Sequence, residues 1–209
     1  PRDEPAATKE RERYRGRPAH NEDHTLEVFL KPSTALQHPN EPILIPRFDG
    51  LDANMDCESE LAVIIARDTT NISESDALNC VLGYTIANDI TSRAFQTPTG
   101  PPLWMRGKGF NTFCPLGPAI ITCDEVPDPQ NLTIRTIING KVVRDGHTSQ
   151  MIRTVPQIIA TLSRHMTLRR GAVILTGAPP PIAQSLPLRA GDVVIAEIPG
   201  SGVLQNSVQ

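Results

Sequence analysis

Twenty prolines in 209 residues constrain what this chain can fold into more than any other feature of it. Proline fixes φ, removes a backbone donor and breaks helix interiors, so long helices are limited along most of the length. Between the prolines lie short apolar runs bounded by turn residues, and these read as strands. LEVFLK (26–31) and PILIP (42–46) predict two short ones. ELAVIIAR (60–67) is apolar almost throughout after its first acid, as expected of a strand buried on both faces. GYTIAND (83–89), a run around 118–123, AVILTG (172–177) and DVVIAEIPG (192–200) predict four more. LTIRTIINGKVVRD carries two alternating runs about Asn139-Gly140, a dipeptide that favours a two-residue type I′ hairpin turn. Two segments have helical character. One runs over about 74–81 behind Ser73 and Asp76, which have capping-box spacing, and the other, 155–168, has apolar residues at helical intervals. The expected class is α+β, predominantly β.

Residues 1–24 have a different composition. Acids and bases alternate there with almost no aliphatic side chain, and such a segment buries too little surface to offset its ordering entropy. The chain is therefore expected to divide into a charged arm, 1–24, mobile unless a partner or ligand orders it, and one globular domain, 25–209. A net charge of −3 with no basic patch argues against a nucleic-acid partner. No apolar run is long enough to span a bilayer and no signal-peptide pattern opens the chain, so a cytoplasmic protein without a membrane partner is expected. The four cysteines, Cys57, Cys80, Cys114 and Cys123, show no CxxC spacing; they read as reduced, mostly buried thiols and not as a zinc site.

The chemistry is concentrated around CESELAVII (57–65). A strand alternates its faces, so Glu58 and Glu60 point the same way and repel each other. They lie either in solvent, on a strand edge, or against something positive. Asp89 closes the strand GYTIAND and can reach the same sheet end, and Lys108 stands in the glycine-flanked segment RGKGF. Three carboxylates with no soft ligand are the donor set of a hard cation such as magnesium, which takes oxygen ligands and retains waters that substrate can replace.

The ordered set FLKPSTAL, ESELAVII, GYTIANDITSRAFQ, MRGKGFNTFCPLGPAI, INGKVVRDGHTSQMI and MTLRRGAVILTGAP resembles the fumarylacetoacetate hydrolase superfamily from about Phe29 to the C-terminus. The resemblance implies a distorted β-roll with a few short helices, usually dimeric. It implies a divalent cation, commonly magnesium with manganese and calcium as alternatives, held by Glu58, Glu60 and Asp89. It implies substrate contacts from Arg93, Gln96 and Lys108. Members act on 2-oxo acids and β-diketones: they hydrolyse carbon–carbon bonds of acylpyruvates, decarboxylate oxaloacetate-like acids, or isomerise and hydrate dienoates. The expected function is metal-dependent carbon–carbon bond hydrolysis or decarboxylation of a small 2-oxo or β-keto acid. Dienoate isomerisation is the alternative within the superfamily, and a catalytically weak binding or assembly protein the alternative outside it.

The sequence departs from the family pattern near the site. The histidine and acid that activate water in the hydrolases have their nearest match in His20 and Asp23, whose i, i+3 spacing places them on one face of a helical turn. Ala178 stands where relatives carry a threonine that contacts the substrate carboxylate, and it donates no hydrogen bond. Ala94 replaces an aspartate, which predicts the loss of a partner for Arg93 or the metal site. Gly109 and Asn111 replace a serine and an aspartate.

Overall fold

A computed structural model describes residues 26–50, 52–96, 103–183 and 187–209. Its frame is two sheets. The first is built from β1 (Leu36–Gln37), β3 (Ser59–Ile65), β4 (Val81–Asn88), β6 (Cys114–Thr122) and β9 (Val173–Leu175), in the order β1-β6-β4-β3-β9. The second is built from β7 (Thr133–Ile138), β8 (Lys141–His147), β10 (Val193–Ile198) and β11 (Gly202–Ser207), in the order β11-β10-β7-β8. A small ribbon pairs β2 (Met55–Asp56) with β5 (Thr91–Ser92).

Strand alternation divides β3 into two functions. Leu61, Val63 and Ile65 point into a core shared with Tyr84 and Ile86 of β4, Ile134 of β7, Ala196 and Ile198 of β10 and Leu204 of β11. Ser59 lies on that same face, where its hydroxyl accepts from Thr136 of β7 at 2.7 Å. Glu58 and Glu60 have the opposite parity and face away from this core. Helix α3 (Val155–His165) covers the core with Val155, Ile158, Ile159 and Leu162. Its start is fixed by a reciprocal capping box between Thr154 and Gln157, and Pro156 sits in the first turn, where a missing donor costs nothing.

Most predicted elements form, with informative exceptions. The hairpin turn is present, with φ of 50° at Asn139 and 78° at Gly140, as type I′ requires. Residues 74–80 wind as a 3₁₀ helix, capped by the Ser73 hydroxyl on the Asp76 amide, and run directly into β4. Helix α3 stops at His165 because Leu168 leaves it to bridge Thr69. PILIP makes a single parallel bridge, Ile43 to Val208, in which the Ile43 and Ile45 amides donate to the Ser207 and Gln209 carbonyls, both at 2.7 Å, while Pro42 and Pro46 lie outside that donor row. LEVFLK is not a strand: Phe29 stacks on Trp104 at 5.7 Å and Lys31 reaches into the site instead. Strand β11 was not predicted, because its polar Gln205 and Asn206 conceal the one large buried apolar residue, Leu204.

Candidate metal and substrate site

The site follows from the β3–β4 register. Ser59 pairs with Asn88 and Glu60 with Ala87, so Glu58 stands opposite Asp89 just beyond the last ladder pair. The Asp89 amide donates to the Glu58 carbonyl at 2.8 Å, and the Asn88 side chain accepts from the Glu58 amide at 3.0 Å. Residues opposite one another share a face, so Asp89 joins the face already holding Glu58 and Glu60. Carboxylate oxygens of Glu58, Glu60 and Asp89 all lie within 4.8 Å of one another.

Two short helices bring in the cations. Helix α1 (Arg93–Gln96) follows β5 directly, and helix α2 (Trp104–Lys108) packs across it. The close approach needs Gly107: a Cβ there would lie 2.6 Å from the Cβ of Gln96 and 2.8 Å from the Ser92 carbonyl oxygen. This seats the buried Lys108, whose Nζ donates to Glu58 Oε2 and Asp89 Oδ2, both at 2.6 Å, and to Thr91 Oγ1 at 2.7 Å. The ring of Phe29 lies 5.2 Å from the same ammonium. Arg93 donates through Nη2 to Glu58 Oε1 at 2.8 Å and Asp56 Oδ2 at 2.6 Å, and through Nη1 to Gln96 Oε1 at 2.9 Å. The Gln96 side-chain Nε2 is buried and has no hydrogen-bond partner among the described residues.

The sequence reading missed three of the site's charged side chains. Lys31 Nζ donates to Asp89 Oδ1 and to the Lys108 carbonyl, both at 2.6 Å. Asp56 lies between Arg93 and Arg144, whose Nη2 is 3.0 Å from the same Oδ2. Lys31 ends the run LEVFLK, and its contact with Asp89 spans 58 residues of chain, so no local pattern marks it. Asp56 and Arg144 meet only through pairing 88 residues apart in the chain, which no local pattern carries. Ala94 offers Arg93 no side-chain partner, and Asp56 and Glu58 hold the guanidinium instead. His20 and Asp23 lie outside the described residues.

Electrostatics separate the two glutamates. Burial pushes Glu58 upward, but Lys108, Arg93 and Arg144 outweigh it and hold the carboxyl at about 2. Burial also raises Glu60, and there the negative charges of Asp89 and Glu58 add to it, so the carboxyl is pushed up to about 8. The Gly177 amide, at the end of the segment after β9, donates to Glu60 and opposes that rise only in part. Burial depresses Lys108, yet Glu58 and Asp89 more than compensate and hold it charged. An all-oxygen donor set in which one buried carboxylate is repelled by two others fits a hard divalent cation, which would relieve that repulsion.

The chain belongs to the fumarylacetoacetate hydrolase family: residues 5–209 match the family described as Fumarylacetoacetate (FAA) hydrolase C-terminal. It is 40% identical over 185 residues to a mitochondrial oxaloacetate tautomerase of Xenopus laevis, an alignment covering 87% of this chain and 57% of the relative. The chain thus spans under three-fifths of that relative's length. Among solved structures, a 2-hydroxyhepta-2,4-diene-1,7-dioate isomerase from Mycobacterium marinum is 42% identical with a TM-score of 0.77, over 87% of this chain and 68% of that one. A maleylpyruvate hydrolase from Sphingobium sp. SYK-6, in complex with manganese(II) ion and pyruvate, is 32% identical with a TM-score of 0.77, over 89% of this chain and 66% of that one. The predominantly β fold with short helices and a curled sheet is the fold of this family. No helix among the described residues is long and apolar enough to cross a membrane.

Proposed function

We propose that this chain is a divalent-metal-dependent enzyme acting on a small 2-oxo or β-keto acid through enolate chemistry, by hydrolysis of a carbon–carbon bond or by decarboxylation. The observation that carries this reading is the convergence of Glu58, Glu60 and Asp89 within 4.8 Å beside the Lys108 ammonium. Glu58, Glu60 and Asp89 would hold magnesium or manganese. When bound, the ion supplies Lewis acidity that polarises the 2-oxo acid and stabilises its enolate. Lys108 balances negative charge developing next to the cluster. Arg93 stands at the rim with a third of its side chain exposed and is placed to take the substrate carboxylate. Gln96 Nε2, without a hydrogen-bond partner among the described residues, is a second donor for the same group. The ammonium of Lys31 holds Asp89 Oδ1, which leaves Oδ2 directed to the cluster.

The relatives named for oxaloacetate and maleylpyruvate support a 2-oxo acid substrate, and the manganese in one of them supports the metal. Ala178 places no hydroxyl beside Gly177, so Arg93 and Gln96 carry the anion recognition that a threonine there would share. The test is turnover of oxaloacetate, an acylpyruvate and a hydroxydienedioate by protein loaded with Mg²⁺ or Mn²⁺, followed by NMR. Conversion of the first or second, abolished by chelation, is expected. Turnover of the dienedioate alone would replace this reading with the isomerase, and no metal-dependent turnover of any of the three would refute it.

A further inference from the structure

Arg144 lies in the middle of β8, 4% exposed, and its guanidinium bonds to none of the three clustered carboxylates. Every nitrogen of its head is nonetheless used. Nε donates to the Cys57 carbonyl at 3.0 Å, Nη1 to the Pro179 carbonyl at 2.7 Å, and Nη2 to Asp56 Oδ2 at 3.0 Å. These partners flank the site on two sides. Cys57 precedes Glu58, Pro179 follows the Gly177 amide that donates to Glu60, and Asp56 Oδ2 is the oxygen that also receives Arg93.

The two sides depend on Arg144 to different degrees. The segment around Gly177 has anchors of its own: the Thr176 amide and hydroxyl both donate to the Leu61 carbonyl, at 3.2 and 2.8 Å. The Ile182 amide donates to the Val143 carbonyl at 2.9 Å. On the other side, Asp56 Oδ1 accepts its own neighbour's amide at 2.8 Å, and Oδ2 sits between two guanidinium groups. Removing Arg144 takes away one of the two guanidinium groups on Asp56 Oδ2, and the carboxylate can then draw Arg93 away from Glu58 and Gln96.

We propose that Arg144 is a positioning residue: by sharing Asp56 it sets the guanidinium of Arg93 in the orientation that receives the substrate carboxylate. The inference rests on the reading of Arg93 given above. It differs from a purely structural role in predicting that the effect of Arg144 passes through Arg93 and leaves the cation cage intact.

The experiment is a double-mutant cycle on the full chain loaded with Mn²⁺, with oxalate as the probe and affinity read by calorimetry. Arg144→Gln is expected to bind Mn²⁺ within about twofold of wild type and oxalate roughly tenfold more weakly, the scale of losing a partner one step removed from a metal site. In an Arg93→Gln background the same change is expected to cost under about twofold. Full additivity, undiminished oxalate affinity in Arg144→Gln, or oxalate binding that ignores Arg93 would each overturn the inference. If Arg144→Gln does not fold, Arg144→Lys is read in its place, since it keeps the charge with one donor head where three directions are needed. A wild type that turns over no 2-oxo acid refutes the proposed function, while the oxalate cycle still decides the role of Arg144.

Discussion

Glu60 takes a hydrogen bond from the backbone amide of Gly177 and forms no ion pair with any cation among the described residues. Its neighbours are provided for differently, since Lys108 bridges Glu58 to Asp89 and Lys31 holds the far oxygen of Asp89. Glu60→Gln therefore removes a buried, repelled charge while keeping the shape of the side chain. In the presence of chelator this variant is expected to melt at or above the temperature of wild type. It should also lose the stabilisation that added Mg²⁺ gives wild type. Thermal melts with EDTA and with excess Mg²⁺ read both effects, and an undiminished Mg²⁺-induced shift in the variant would remove Glu60 from the cation site.

The same two glutamates set the pH dependence of the metal-free protein. Glu60, raised to about 8 from an ordinary 4.5, binds its proton more tightly when folded, so stability falls as pH climbs through that window. Glu58, held at about 2, contributes stability above 4.5 that is lost as pH falls toward 2. Urea titrations in EDTA are expected to show greatest stability near pH 5, and Mg²⁺ is expected to flatten the alkaline limb by replacing the proton on Glu60. Stability that rises steadily from pH 5 to 8 in EDTA would contradict the assignment.

Lys108→Met separates binding from chemistry. Its ammonium competes with a divalent ion for Glu58 and Asp89, so Mn²⁺ should bind at least as tightly in the variant. Loss of the positive charge beside the developing enolate is expected to lower kcat by about 10²–10³, the scale seen when one preorganised electrostatic donor is removed. Mn²⁺ titration by EPR together with steady-state kinetics measures both. A variant that keeps full turnover would exclude Lys108 from the reaction.

Gly107→Ala tests whether the packing of helix α2 on helix α1 places Lys108. The added methyl group would lie 2.6 Å from the Gln96 Cβ and 2.8 Å from the Ser92 carbonyl oxygen, contacts that force the two helices apart. Overpacking of this kind costs about 1–3 kcal/mol, and the shift carries Lys108 and Gln96 away from the cluster. Chemical denaturation should show the loss of stability and kinetics a fall in kcat with little change in Mg²⁺ affinity. Unchanged stability would mean that the approach of the helices is looser than the geometry indicates.

What the sequence disclosed divides along the line between local and long-range order. The paired glutamates were legible because strand periodicity puts Glu58 and Glu60 on one face without reference to anything else. The hairpin at Asn139-Gly140 was legible because its φ values are a property of those two residues. Asp89 needed the β3–β4 register, and the motif order supplied its place. Lys31, Asp56 and Arg144 were hidden because each acts across a contact between distant segments: Lys31 to Asp89, and Arg144 to Asp56. Proline content correctly limited the helices, and PILIP pairs through the Ile43 and Ile45 amides over a single bridge and not a full strand.

The register of β3 makes this fold tolerant of change in one place and brittle in another. Added residues in the connection between Ile65 and Val81 leave the pairing of Ser59 with Asn88 untouched. One residue inserted between Glu60 and Leu61 reverses the parity of the strand: keeping Leu61, Val63 and Ile65 in the core turns Glu58 and Glu60 under the sheet, and keeping the acids in place expels the aliphatic residues. Homologous chains can thus be expected to differ in length freely outside this strand and hardly at all within it. Gap placement becomes a marker of where the chemistry resides, independent of which amino acids surround it.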